Sequence, residues 1–152
     1  MGSGKNGNGS WTELFFLDEV TALAAGHRPC FYCRRSNAVT FADIVANSLR
    51  LGEIRAPELD RRLHGERIAS GGDIERLDPG DLQGLPDGTM IAAGSGIMAI
   101  RNGQCLPWSF DGYGRPLPVS SINGQLAIIT PRTSRQALCG GYLPVWHPSA
   151  DA

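Results

Sequence analysis

The chain changes its hydrophobic period once, near Ser70, and that change constrains the fold more than any other feature of the sequence. Before it, apolar residues recur at helical spacing. Leu14, Leu17, Val20 and Leu23 with Ala24 mark one face, widened by Phe15 and Phe16, and predict a helix from about Trp11 to Ala25. Ser10-Trp11-Thr12-Glu13 fits a capping box at its start, and Gly26 fits the C′ position that tolerates positive φ. Pro29 then forces His27 to Cys33 into a turn. A second helix is expected after Cys33 through Val39, Phe41, Ile44, Val45 and Leu49. Pro57 suits the N1 position of a third, which turns Leu59, Leu63 and Ile68 inward.

After Ser70 the pattern is one of turns and short strands, and most of the 20 glycines and 10 prolines lie there. The stretch from Ser70 to Thr89 reads as loop, with Asp-Pro-Gly and Pro-Asp-Gly signals. Met90 to Ala93 and Ile97 to Ile100 read as strands. Asn102-Gly103 is a two-residue type I′ hairpin signal, returning through Cys105, Leu106 and Trp108. A second Asn-Gly, at Asn123-Gly124, predicts that Val119 to Ile122 pairs with the strand in Gln125 to Thr130. Thr133 to Leu138 is expected to be a short helix closed by Gly140-Gly141. The fold class that follows is α+β: a helical N-terminal half with a Cys-x-x-Cys knuckle, then a small antiparallel sheet or partial β-barrel. Residues 1–10 are expected to be a flexible leader and 11–152 a single domain, with a helical half over 11–68 and a β-rich half over 88–147.

Charge and targeting signals narrow the partners. A formal net charge of -1 gives no long-range attraction to nucleic acid or anionic membrane. Locally, eight arginines between Arg28 and Arg67 exceed the acidic residues by three. No apolar run approaches the ~20 residues of a membrane span, and the first ten residues lack the apolar core of a secretory signal. The expected location is therefore cytoplasmic, where the four cysteines serve as thiols or ligands rather than disulfides.

The pair Cys30 and Cys33 admits three readings. A two-residue gap lets two thiolates converge on one zinc ion, and His27, His64, Cys105, Cys139 and His147 are the candidates to complete it. A redox pair would need Cys30 at a helix N-terminus in a βαβ setting, and no such setting precedes it. Otherwise the thiols are small apolar core groups. Arg28, Arg34 and Arg35 flank the pair and suit phosphate oxygens, while Phe31 and Tyr32 offer stacking surface, so nucleic acid is a candidate partner. The opposing expectation is that these arginines pair with Asp18, Glu19 or Asp43.

Other residues carry weaker chemistry. Asp60 precedes His64 by one helical turn and can orient its imidazole as ligand or base. Cys139 before Gly140-Gly141 suits a nucleophile served by His147 or His64. These three are the candidate catalytic residues of a rival reading, a small enzyme acting on a low-molecular-weight substrate. A protein-interaction module is a third reading. The string around Trp108 and Tyr113 suits an aromatic pocket with Asp111 as its one charge.

The stretch from Phe15 to Cys33 resembles the later half of the Ada-type metal-binding domain. The resemblance rests on Phe16, Ala22, Ala25, Gly26, Arg28, Pro29, Cys30 and Cys33, about twenty residues of the chain. It implies that Cys30 and Cys33 are zinc ligands and that their neighbourhood meets DNA backbone. That family carries a further cysteine pair upstream, one member of which accepts a methyl group. This chain has no cysteine before Cys30, so methyl transfer is not implied. The remainder resembles uncharacterised bacterial proteins, which implies no activity.

Overall fold

The computed structural model describes residues 17–31, 34–67, 71, 74–94 and 96–151. Among the described residues three α-helices precede the strands: α1 (Glu19–Ala24), α2 (Arg35–Ser48) and α3 (Ala56–Glu66). Seven short strands follow: β1 (Glu75–Leu77), β2 (Met90–Ala93), β3 (Gly96–Arg101), β4 (Gln104–Ser109), β5 (Gly112–Tyr113), β6 (Leu117–Pro118) and β7 (Leu126–Ile128). A last α-helix, α4 (Arg132–Cys139), precedes a C-terminal segment that includes a 3-10 turn (Pro148–Asp151). The class is α+β, with helices and then an antiparallel sheet. Among the described residues no helix is long and apolar enough to cross a membrane.

Helix α1 begins at a cap that the hydrophobic period conceals. Asp18 is the N-cap: its carboxylate accepts the Thr21 N–H, and the Thr21 hydroxyl accepts the Asp18 N–H. The expected Ser10–Glu13 box lies outside the described residues. At the other end Gly26 takes φ +91°, with Gly26 N–H on Leu23 O and His27 N–H on Ala22 O. Those two bonds form the Schellman motif expected for a glycine at C′. Helix α2 buries Phe41 and Val45 but leaves Val39 39% exposed, because Val39 lies on its solvent side. Pro57 sits in the first turn of α3, which buries Leu59 and Leu63; Ile68 falls outside the described residues.

The strands run in the order β1-β7-β2-β3-β4-β5, with β6 also pairing the start of β4. Asn102 (φ 52°) and Gly103 (φ 73°) make the expected hairpin turn between β3 and β4. Period-two alternation sends neighbouring residues to opposite faces. Ile91, Ile100 and Cys105 pack with Leu82, Val119 and Ile122 on one face. Met90, Ala99 and Leu106 pack with Val20 of α1 and Tyr113 on the other. Both faces are thus covered, one of them by short 3-10 turns instead of a helix.

Two expectations need correction. Val119–Ser121 is one of those 3-10 turns, not a strand, and β7 pairs β1 and β2 instead. Burying Val119 and Ile122 against Leu82 outweighs the ladder that Asn123-Gly124 suggested. The stretch before Thr89 is not all loop, since β1 supplies the sheet edge and Pro79–Gly84 a 3-10 turn. The division into halves also crosses in space. Helix α4 packs into the helical layer, where Ala137, Leu138 and Tyr142 join Phe41, Val45, Leu59 and Leu63 in one cluster. Pro131 gives α4 no side-chain cap, and Glu66 of α3 replaces it, accepting from Thr133 N–H (2.8 Å) and Oγ1 (2.7 Å).

Candidate functional site

The loop from Gly26 to Cys30 is fixed from outside by α3. Arg67 donates through Nε and Nη2 to Gly26 O at 3.3 and 3.1 Å. Glycine is required there twice over: φ is positive, and a Cβ would stand 2.3 Å from Arg67 Cγ. Arg28 forks onto Asp60 at 2.7 and 3.1 Å, and donates to its neighbour Pro29 O at 3.1 Å. Its guanidinium also lies over the Phe31 ring, 4.9 Å from the centroid. The Arg34 N–H then donates to Cys30 O at 2.9 Å, just before α2.

Beside this loop is an open cavity of about 270 Å³, lined by Asp18, Glu19, His27, Arg28, Cys30 and Arg34 among others. Its two carboxylates face charges and donors from distant parts of the chain. Asp18 accepts from Tyr113 Oη (2.9 Å) and from His147 N–H (2.8 Å). Glu19 accepts from Tyr142 Oη (2.6 Å) and Val145 N–H (2.8 Å), and Arg34 lies 3.7 Å away. Burial pushes both tyrosine hydroxyls well above their ordinary range, and the carboxylate each one serves pushes it further. Asp18 and Glu19 therefore bind the C-terminal segment to α1, and the softer donors of this cavity wall are His27 and Cys30.

The other candidate residues are dispersed. Cys33 lies outside the described residues. Cys105 is buried in the sheet core, where desolvation raises its thiol pKa. Cys139 is exposed at the end of α4, and His64 is exposed on α3. The Asp60 carboxylate expected to orient His64 takes Arg28 instead. His147 sits in the C-terminal segment, its Nδ1 2.8 Å from Ser149 Oγ and also accepting the Ser149 N–H. Both contacts of Nδ1 are with Ser149, within the same segment. Arg34 faces Glu19, while Arg35 is exposed.

Thiolate and imidazole are the donor types that zinc prefers, and His27 and Cys30 supply one of each to the same cavity. Among the described residues no group of three or more His, Cys, Asp or Glu is placed to hold a metal ion. Two donors of the types zinc takes thus line the cavity, two short of the four in a closed tetrahedral site. Sequence reading overlooked Asp18, Glu19 and Tyr142 as organisers of this wall. Asp-x-x-Thr at Asp18–Thr21 was an available capping signal, but it lay inside a longer helical period. In comparisons with known proteins, no family model, curated protein or solved structure matches the chain.

Proposed function

We propose that the chain is a small zinc-binding protein in which Cys30 and Cys33 provide two thiolates and His27 a third donor. The observation that carries this reading is the meeting of His27 and Cys30 on one cavity beside a loop held at two points by α3. A loop fixed in this way loses little further entropy on binding an ion, and soft donors at that place suit zinc over magnesium or calcium. The zinc would be structural, fastening the turn between α1 and α2. If protein supplies only three ligands, the fourth position would be open to an exogenous group, and the small-enzyme reading would apply at zinc.

Metal content of the purified full chain tests the proposal. We expect about one zinc per chain, reduced several-fold in Cys30→Ser and Cys33→Ser. Full zinc content in both variants would refute it.

Nucleic acid is the partner class that the Ada-type resemblance implies. For Arg28 to reach a phosphate, its fork to Asp60 would have to open, and Arg34 would have to turn from Glu19. Arg35 is exposed and needs no such exchange. Binding to a generic duplex should therefore be weak, with a log–log salt slope of about 1 or less. A slope near 3, flattened by Arg28→Ala, Arg34→Ala and Arg35→Ala, would instead show all three guanidinium groups on phosphates.

A further inference from the structure

The fold uses one device twice to seat its own arginines: an aromatic face and a carboxylate holding a guanidinium between them. Arg28 lies 4.9 Å from the Phe31 centroid and 2.7 Å from Asp60. Arg101 lies 4.8 Å from the Trp146 centroid and 2.8 Å from Asp151. Planar, weakly hydrated guanidinium suits such a clamp, because one group stacks on a ring and forks to a carboxylate together.

A third aromatic–carboxylate pair lines an open cavity of about 270 Å³ at the β4–β5 hairpin. Its walls include Pro107, Trp108, Asp111, Tyr113 and Ser149, and none of the lining residues is basic. No ion pair to Asp111 occurs among the described residues, unlike Asp60 and Asp151. The hairpin is well fixed. Trp108 pairs with Tyr113 and Ser109 with Gly112 in register, while Ser109 Oγ accepts the Asp111 N–H and donates to Gly112 O. Gly112 has φ +147°, and a Cβ there would stand 2.7 Å from Ser149 Oγ, so the C-terminal segment seats closely on the turn. Trp108 Nε1 is buried without a partner. The indole can therefore offer the cavity only carbon surface, which suits a stacked cation and not a ligand seeking a hydrogen-bond donor.

We propose that this cavity is a binding site for a guanidinium cation from outside the chain, stacked on Trp108 and paired with Asp111. Two sources share that chemistry, a small guanidine and an arginine side chain of a peptide.

The test is an NMR titration of the full chain with methylguanidinium chloride and, separately, with a blocked Gly-Arg-Gly peptide. Sodium chloride controls for ionic strength, and adenosine monophosphate tests for a nucleobase as the stacked group. Saturable shifts at Trp108, Asp111 and Gly112 are expected, with a dissociation constant on the order of millimolar. Asp111→Asn should weaken binding about fivefold while leaving the spectrum folded, since the exposed carboxylate has no ion-pair partner among the described residues. Trp108→Phe, which keeps an aromatic face, should bind more weakly but detectably. A peptide bound at least about threefold more tightly assigns the guanidinium to a partner chain, and equal affinity assigns it to a small guanidine. Absence of saturable shifts up to about 100 mM, shifts equal in Asp111→Asn, or shifts with the nucleotide alone would overturn the proposal.

Discussion

Tyr113 and Tyr142 show how much of this fold depends on single hydroxyls. Each is buried, and each donates to a carboxylate at the start of α1, Tyr113 to Asp18 and Tyr142 to Glu19. Their folded-state pKa values are raised from the ordinary 10.0, by burial first and then by those carboxylates. The sign follows: the unfolded chain loses these protons first, so their contribution is fully present below about pH 10 and declines as pH rises further. Tyr142→Phe should destabilise the chain by about 1.5–3 kcal/mol at neutral pH, the usual cost of losing a hydrogen bond to a charged group. Denaturant midpoints should show that gap narrowing above about pH 10. A gap that is constant or widens there would mean that the hydroxyl is not protonated against Glu19. None of this was legible from local pattern, because the partners are separated by 123 residues in one case and 95 in the other.

The elements were legible where backbone chemistry is local. Gly26 at C′ and Asn102-Gly103 each require a backbone conformation that few other residues favour, and each appears where expected, while Pro57 enters the first turn of α3 one position after the expected N1. Elements of two or three residues were not. Strand β1 is Glu-Arg-Leu within a turn-rich stretch, and it exists because β7 pairs with it, not through its own propensity. Val119–Ser121 shows the converse, a β-prone string taken into a 3-10 turn by packing. Contact between α2 and α4 gives the sharpest element-scale test. A Cβ at Gly140 would stand 2.3 Å from Ile44 Cγ2, closer than real atoms approach. Gly140→Ala should therefore lower stability by about 1–3 kcal/mol despite alanine's better helix propensity. A melting temperature unchanged or raised would show that the two helices can separate without cost. Ile44→Leu in the same background, which removes that methyl, should recover part of the loss.

On the scale of the whole molecule, the start of α1 and the segment after α4 organise one region. Residues of α1 hold the segment from Tyr142 to His147, and the same two carboxylates, Asp18 and Glu19, line the cavity that contains His27 and Cys30. The Cys-x-x-Cys spacing and the helix after it were visible in the sequence. The dispersal of Cys105, Cys139 and His64 was not, because cysteine and histidine counts contain no information about which layer each residue occupies. Cys105 belongs to the sheet core and Cys139 to the exposed end of α4, so neither gathers with Cys30. Zinc at Cys30, Cys33 and His27 would tie the α1–α2 turn to a wall already fastened to the C-terminal segment. The most direct measurement is zinc content by elemental mass spectrometry, paired with thermal unfolding before and after chelation. The account predicts about one zinc per chain and, on its removal, a large fall in melting temperature that added zinc restores. Metal-free protein that unfolds at the same temperature with and without zinc would contradict it.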